Sequence, residues 1–454
     1  MTSLEESVAR WQRMIDRPAA NGPELVANLQ ALYDEIFHAD FSRFDVAALK
    51  GSAHLATEEL FDLQLRVRDR LPEWAARGLM SHEAARAARD AIRVLRYATD
   101  IVGEVGSGFQ RLAEGDSTHM AFRGPPTWTL ADPGQRLGQR LFFRSGDVVL
   151  VRGRLHNSAA IARIGDIDSQ FSHVGIVHVD QGGALWLVEA LIEIGSTISA
   201  LDDALAHGLG RAMLLRYRDR QMAARASKAI FDRVSASLGV TGEWIPYDFS
   251  MELEGEEALF CSKLVRAAYL EASAGTVVLP RYATRLDLKN RDFFERIGVT
   301  AVNTFAPGDF EVEPDFNVVA EWRDYRVTSS LRMQDLIMSK LFDWMDEHGY
   351  RFRPDLGIGA VSIGGRLSSW LPSGIKEWLS GHGVPRIPPN MSRSTIGAIV
   401  MLHKTAQPIL EHLEALEKKH IADTGRPMHP REVYAELEAY RAKSPRRVGY
   451  LVAP

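Results

Sequence analysis

The chain carries a single cysteine, Cys261, in 454 residues. It cannot form an intramolecular disulfide or build a cysteine-based zinc or iron–sulfur site. Charge of one sign is also scarce. Lys and Arg number 54 against 59 Asp and Glu, for a net charge of −5. This slight acidity lacks the electrostatic footprint of a dedicated nucleic-acid binder. Long apolar runs are missing: the stretch from Ile396 to Leu402 is typical, far short of the ~20 residues that span a bilayer. The opening Met-Thr-Ser-Leu-Glu-Glu-Ser has no apolar signal-peptide core. A cytoplasmic, reducing environment is therefore expected, with any export using a route that needs no cleavable signal. Three reaction motifs are absent as well. No Gly-Lys dipeptide builds a P-loop, no His-Glu-x-x-His builds a helical zinc site, and no serine sits in a nucleophile elbow.

What is present is ordinary globular composition, 46% hydrophobic and 25% charged, at a length that suits two to four domains. The first ~110 residues read as helices. Apolar side chains recur at helical spacing over 24–37 (Leu25, Leu29, Leu32, Ile36), 55–71 (Leu60, Leu63, Val67, Leu71) and 82–102 (Ala88, Ile92, Leu95, Val102), with Ser81 a plausible helix start. Glycine and proline breakers between about 105 and 138 mark a boundary. From about 145 the pattern changes to short apolar runs suited to strands: Val148–Val151, Val174–Val179, Ala184–Ala190 and Ala212–Arg216. Helical spacing returns over Gln221–Leu238 and Cys261–Ala272, so the order is α+β. After about 330, Leu331–His348, Gln407–Ile421 and Arg431–Ala442 read as helices, and the glycine-rich Gly357–Gly365 reads as a loop. The flanking helical regions carry no recognisable chemistry of their own.

These absences direct attention to Cys261. It follows the polar Glu254–Ala258 stretch and opens a helical pattern, so its thiol falls in a first helical turn. Unpaired N–H groups and the helix dipole there favour a thiolate and can receive an oxyanion, and Lys263 adds positive potential. A lone cysteine is also simply a small buried hydrophobe. A nucleophilic thiol needs a base, and the base an orienter. His173 opens one strand, and Glu189 is a carboxylate inside another, costly unless paired. An odd hairpin loop, such as 180–182, pairs 179 with 183 and His173 with Glu189, with Cβ atoms ~5 Å apart. An even loop places the two on opposite faces.

The ordered set Gly146-Asp147-Val148-Val149, Ser172-His173-Val174-Gly175-Ile176, Val188-Glu189-Ala190, Tyr247-Asp248-Phe249 and Phe260-Cys261-Ser262-Lys263-Leu264-Val265 resembles the circularly permuted papain-like enzymes of the YaeF/YiiX type. These are relatives of the cell-wall amidases and of the lecithin:retinol acyltransferase group. The order His, Glu, Cys is that of the permuted group, and the resemblance covers about 140–325. It implies Cys261 as nucleophile, His173 as general base and Glu189 as the residue that orients the imidazole. Tyr247 would lie near the cysteine, either assisting the oxyanion or only packing. Lys263 departs from the glutamate usual at this position. The implied organisation is a helical domain over 1–110, a linker over 111–137, a permuted papain-like catalytic domain over 138–328 and a C-terminal helical region over 329–454.

The expected activity is a cysteine hydrolase that forms an acyl-thioester and cleaves amide bonds in a peptide or peptidoglycan-type substrate, with no cofactor and no metal. A phospholipase or acyltransferase acting on a lipid is the alternative with the same residues. An apolar acyl channel would mark the lipid enzyme, and a polar open groove the peptide enzyme. An inactive papain-like scaffold or binding protein is the third reading. No nucleic-acid partner and no transmembrane segment are expected. Peripheral membrane contact and a protein partner through the helical flanks stay open, and the architecture also suits a delivered bacterial toxin.

Overall fold

The computed structural model describes residues 4–454 except 114, 133–135, 138–139, 207, 242–243, 287–289, 355–357, 359–387 and 389. The glycine-rich Gly357–Gly365 stretch thus lies, apart from Ile358, outside the described residues. Among the described residues, no helix is long and apolar enough to cross a membrane.

The N-terminal region is built of α1 (Leu4–Ile15), α2 (Gly22–Phe37), α3 (Val46–Ala76) and α4 (His82–Gly106). Each apolar stripe faces a common core around Leu60, Val67, Leu71, Ile92 and Leu95. The starts of the two long helices are set by capping. Asp45 accepts the N–H groups of Ala47 and Ala48 at 3.0 and 3.1 Å, and Ser81 accepts that of Ala84 at 3.2 Å.

A seven-stranded antiparallel sheet follows. Its strands are β1 (Thr129–Ala131), β2 (Val148–Gly153), β3 (His173–Val179), β4 (Leu185–Leu191), β5 (Gly195–Ala200), β6 (Leu209–Tyr217) and β7 (Phe316–Arg323). In space they run β1-β7-β6-β2-β3-β4-β5. Alternation along the strands builds two cores. Val148, Leu150, Val174, Ile176 and Val188 face α6 (Arg220–Thr241) and α7 (Cys261–Ala272). Val149, Val151, Val177, Leu187 and Leu214 pack instead with Phe122, Leu201 and Trp322.

The β3–β4 pairing corrects the expected register by two residues. Gly175 pairs with Glu189 and Val179 with Leu185, so His173 and Glu189 are not directly opposed. The turn explains the slip. The Asp180 N–H donates to the Ala184 carbonyl at 3.1 Å, the Asp180 Oδ1 accepts the Ala184 N–H at 2.9 Å, and Gly183 takes φ +83°. These bonds close a three-residue loop, 181–183, rather than 180–182. The odd count is kept, so Glu189 shares a face with Gly175 and with His173 two residues earlier.

The C-terminal region adds α9 (Thr328–Glu347), α10 (Arg393–Thr424) and α11 (Pro430–Lys443). With α8 (Arg291–Ile297) they enclose a third core around Met338, Trp344, Leu402 and Leu413. Helix α10 begins well before the expected Gln407 and takes in the Ile396–Leu402 run.

Buried ion pairs join the three regions. One stripe of α4 carries Arg89, Arg96, Asp100 and Glu104, spaced to share a helix face. Arg89 meets Asp309 at 2.5 Å, and Arg96 meets Glu311 and Glu321 at 2.7 Å each. Asp100 takes Arg211 and Arg323, while Glu104 is gripped by Arg332 of α9 at 2.8 and 2.9 Å. Asp335 of α9 pairs with Arg152 at 2.9 Å and Arg163 at 3.0 Å. Burial opposes the Glu321 charge, but Arg323, Arg96 and Arg211 outweigh it and hold the carboxyl at about 2.

Candidate active site

Cys261 is the first residue of α7, and the cap position before it is Phe260, whose side chain makes no capping bond. The first-turn N–H groups therefore have no partner from the helix itself. The helix is seated by Leu264, Val265 and Ala268, all fully buried. Burying each Leu- or Val-sized side chain is worth ~1.5–3 kcal/mol, so the position of the thiol is fixed by packing.

His173 lies at the start of β3, and its Nε2 is 2.6 Å from Glu189 Oε2. The side chains are 21% and 8% exposed, so the pair is largely shielded from water. The imidazole also hydrogen-bonds the Cys261 thiol. With Nε2 engaged by Glu189, the nitrogen left for sulfur is Nδ1. The backbone N–H of Val174 donates to the same sulfur, and Ser262 Oγ lies 3.9 Å from it.

The electrostatics of the pair are mutually consistent. Burial opposes a charged His173, yet the hydrogen bonds and charges of Cys261 and Glu189 push its pKa up to about 10. Burial likewise raises the Cys261 thiol, but the His173 contact and the Ser262 and Val174 hydrogen bonds bring it below the ordinary value. Both directions favour a thiolate–imidazolium pair.

Tyr247 is buried beside Cys261 on the wall of the same cavity and packs against Phe249, ring centroids 5.1 Å apart. Burial, then the Cys261 charge, pushes its hydroxyl well above the usual tyrosine range. It keeps its proton and remains a donor. Lys263 does not lend free positive potential to the sulfur. Its Nζ is held by Asp248 Oδ2 at 2.7 Å and the Glu254 carbonyl at 2.8 Å. That pair ties the loop bearing Tyr247 to the first turn of α7.

Sequence reasoning passed over the cavity that opens at Cys261. It encloses about 380 Å³ between the sheet domain, α8 and α10. The one available signal was the Ile396–Leu402 run, which is too short to span a membrane and lines this wall. Among the described residues, no group of three or more His, Cys, Asp or Glu side chains is arranged to hold a metal ion.

Among curated proteins and among solved structures, nothing matches the chain. One family does: residues 143–319, which include His173, Glu189, Tyr247 and Cys261, match the permuted papain-like amidase enzymes of the YaeF/YiiX type, the C92 family.

Proposed function

We propose that the chain is a thiol hydrolase in which Cys261 is the nucleophile, His173 the general base and acid, and Glu189 the residue that orients and charges the imidazole. The observation that carries this is the continuous contact from Glu189 through His173 to the Cys261 sulfur.

The Cys261 thiolate attacks an acyl carbonyl carbon, and a C–S bond forms as the carbonyl electrons move to oxygen. The oxyanion is received by the Cys261 backbone N–H and by the Tyr247 hydroxyl, which burial keeps protonated. As the tetrahedral centre collapses, the bond to the leaving nitrogen or oxygen breaks, and imidazolium supplies the proton. Water then gives a proton to His173 and attacks the thioester. The C–S bond breaks, releasing the acid and restoring the pair.

Amide cleavage is what the family match suggests, and an ester is opened by the same steps. Of the two substrate classes, the lipid one gains from a specific feature. Among the described residues, the space at Cys261 is an apolar cavity rather than a polar groove. The test of the mechanism is alkylation. Iodoacetamide labels Cys261 rapidly at neutral pH, and His173→Ala abolishes the fast phase. Equal labelling of both proteins would reject the proposal.

A further inference from the structure

Polar groups on the cavity wall are few. Glu193 is its single charged side chain among the described residues. Thr304 donates its hydroxyl to the Met251 carbonyl at 2.9 Å, and Thr395 donates to that of Ile297 at 3.0 Å, so both hydroxyls are already committed to backbone. Apart from the Asn157 amide and the Tyr247 hydroxyl, the rest is mainly hydrocarbon: Phe260 beside the thiol, Phe293 and Phe294 on α8, and Ile396, Ile399 and Leu402 on α10.

A peptide stem placed here would bury N–H, C=O and carboxylate groups with few partners, and each unsatisfied group costs about 1–3 kcal/mol. A hydrocarbon chain needs no partners and gains from burial. The 380 Å³ of this half-open cavity falls in the range of ligand pockets. At roughly 30 Å³ for a water-sized group, it holds a chain on the order of a dozen methylenes.

We infer that this cavity takes the hydrocarbon tail of a long-chain acyl substrate whose carbonyl is presented to Cys261, and that α10 sets the chain length accepted. The inference rests on the thiol-hydrolase reading for its chemistry, although chain binding itself does not require turnover. It also gives a role to a helix that lies outside the family match at 143–319. The acyl group arrives as a lipid ester or as an N-acyl amide. Both present the same tail and the same carbonyl.

The experiment uses the full chain and two independent readouts. First, p-nitrophenyl esters from acetate to dodecanoate are hydrolysed below their micellar concentrations. The expected kcat/KM climbs severalfold with each added pair of carbons, the ceiling being about fourfold per buried methylene. Ile399→Trp and Ala160→Trp, on half-buried wall positions of α10 and of the short helix His156–Ile161, each lower the dodecanoate-to-acetate ratio at least tenfold. Ile399→Ala shifts the optimum to longer chains.

Second, the Cys261→Ala protein binds a fluorescent long-chain fatty acid that dodecanoate displaces, and the two tryptophan substitutions weaken that binding. Thermal melts identify any variant that fails to fold. Phosphatidylcholine mixed micelles and N-dodecanoyl amino acids, compared by Cys261-dependent fatty-acid release, then separate ester from amide sources. Cys261-dependent acetate hydrolysis with a flat chain-length profile and no fatty-acid binding overturns the chain assignment and leaves the hydrolase standing. Fatty-acid binding without Cys261-dependent turnover of any ester or amide supports the cavity assignment and rejects the hydrolase.

Discussion

Replacing Glu189 with glutamine keeps the outline of the side chain and removes a negative charge 2.6 Å from His173 Nε2. A hydrogen bond to a charged group contributes about 1.5–3 kcal/mol, and about 1.36 kcal/mol corresponds to one pKa unit. The His173 pKa, held at about 10 in the native site, should therefore fall by about one to two units. The thiolate–imidazolium form loses the same free energy against the neutral pair. Cys261 alkylation at neutral pH should thus slow, by up to ~100-fold where the weakened ion pair gives way to the neutral one. The sign has a pH signature. The deficit is largest where the thiolate depends on imidazolium, and it closes above the ordinary thiol value of 9.0, where sulfur ionises unaided. The assay is iodoacetamide alkylation followed by mass spectrometry across the acid-to-alkaline range, with His173→Ala as the limiting case. A Glu189→Gln profile that superimposes on the native one would refute the reasoning.

Three further outcomes follow from the buried charges. Arg96→Met strands Glu311 and takes from Glu321 one of its three guanidinium neighbours, and should cost ~3–5 kcal/mol in urea unfolding. Loss of the exposed Arg66–Asp16 pair by Arg66→Ala should cost under ~1 kcal/mol, and similar losses at the two sites would contradict the account. Burial pushes the Glu313 carboxyl up to about 7, from 4.5. A group raised in this way contributes stability below 4.5 that is lost as pH rises through about 7. Glu313→Gln should therefore match the native protein in acid and exceed it by up to about 3 kcal/mol at mildly alkaline pH in thermal melts. No gain there would be decisive against it. Lys263→Glu sets a carboxylate against Asp248 and should cost ~3–5 kcal/mol, partly recovered by adding Asp248→Lys, as read by melting temperature.

The elements that the sequence revealed best are those with a strong local period. Cys261–Ala272 was legible to the residue because an apolar stripe begins abruptly after a polar loop. The shared face of His173 and Glu189 followed only if the hairpin loop was odd, and the sequence left that parity open. The register was not legible either, because one side chain, Asp180, decides where the turn closes. Strand β7 escaped notice for another reason. Glu321 and Arg323 look like solvent positions, and only distant arginines and carboxylates make their burial tolerable. The 380 Å³ cavity was hidden in the same way: its wall is shared by α10 and by residues such as Cys261 and Tyr247, more than a hundred positions earlier in the chain. Local patterns carry no signal for such a meeting.

The charged stripe on α4 has a practical corollary for anyone wishing to isolate the reactive segment. Cutting the chain at 143 and 319 would remove Arg89, Arg96 and Asp100 along with Glu321 and Arg323, leaving Arg211, Asp309 and Glu311 without their counter-ions on faces stripped of the helices that cover them. Each orphaned charge would either draw in water or discharge. The flanking helices thus act as the solvent of the middle segment.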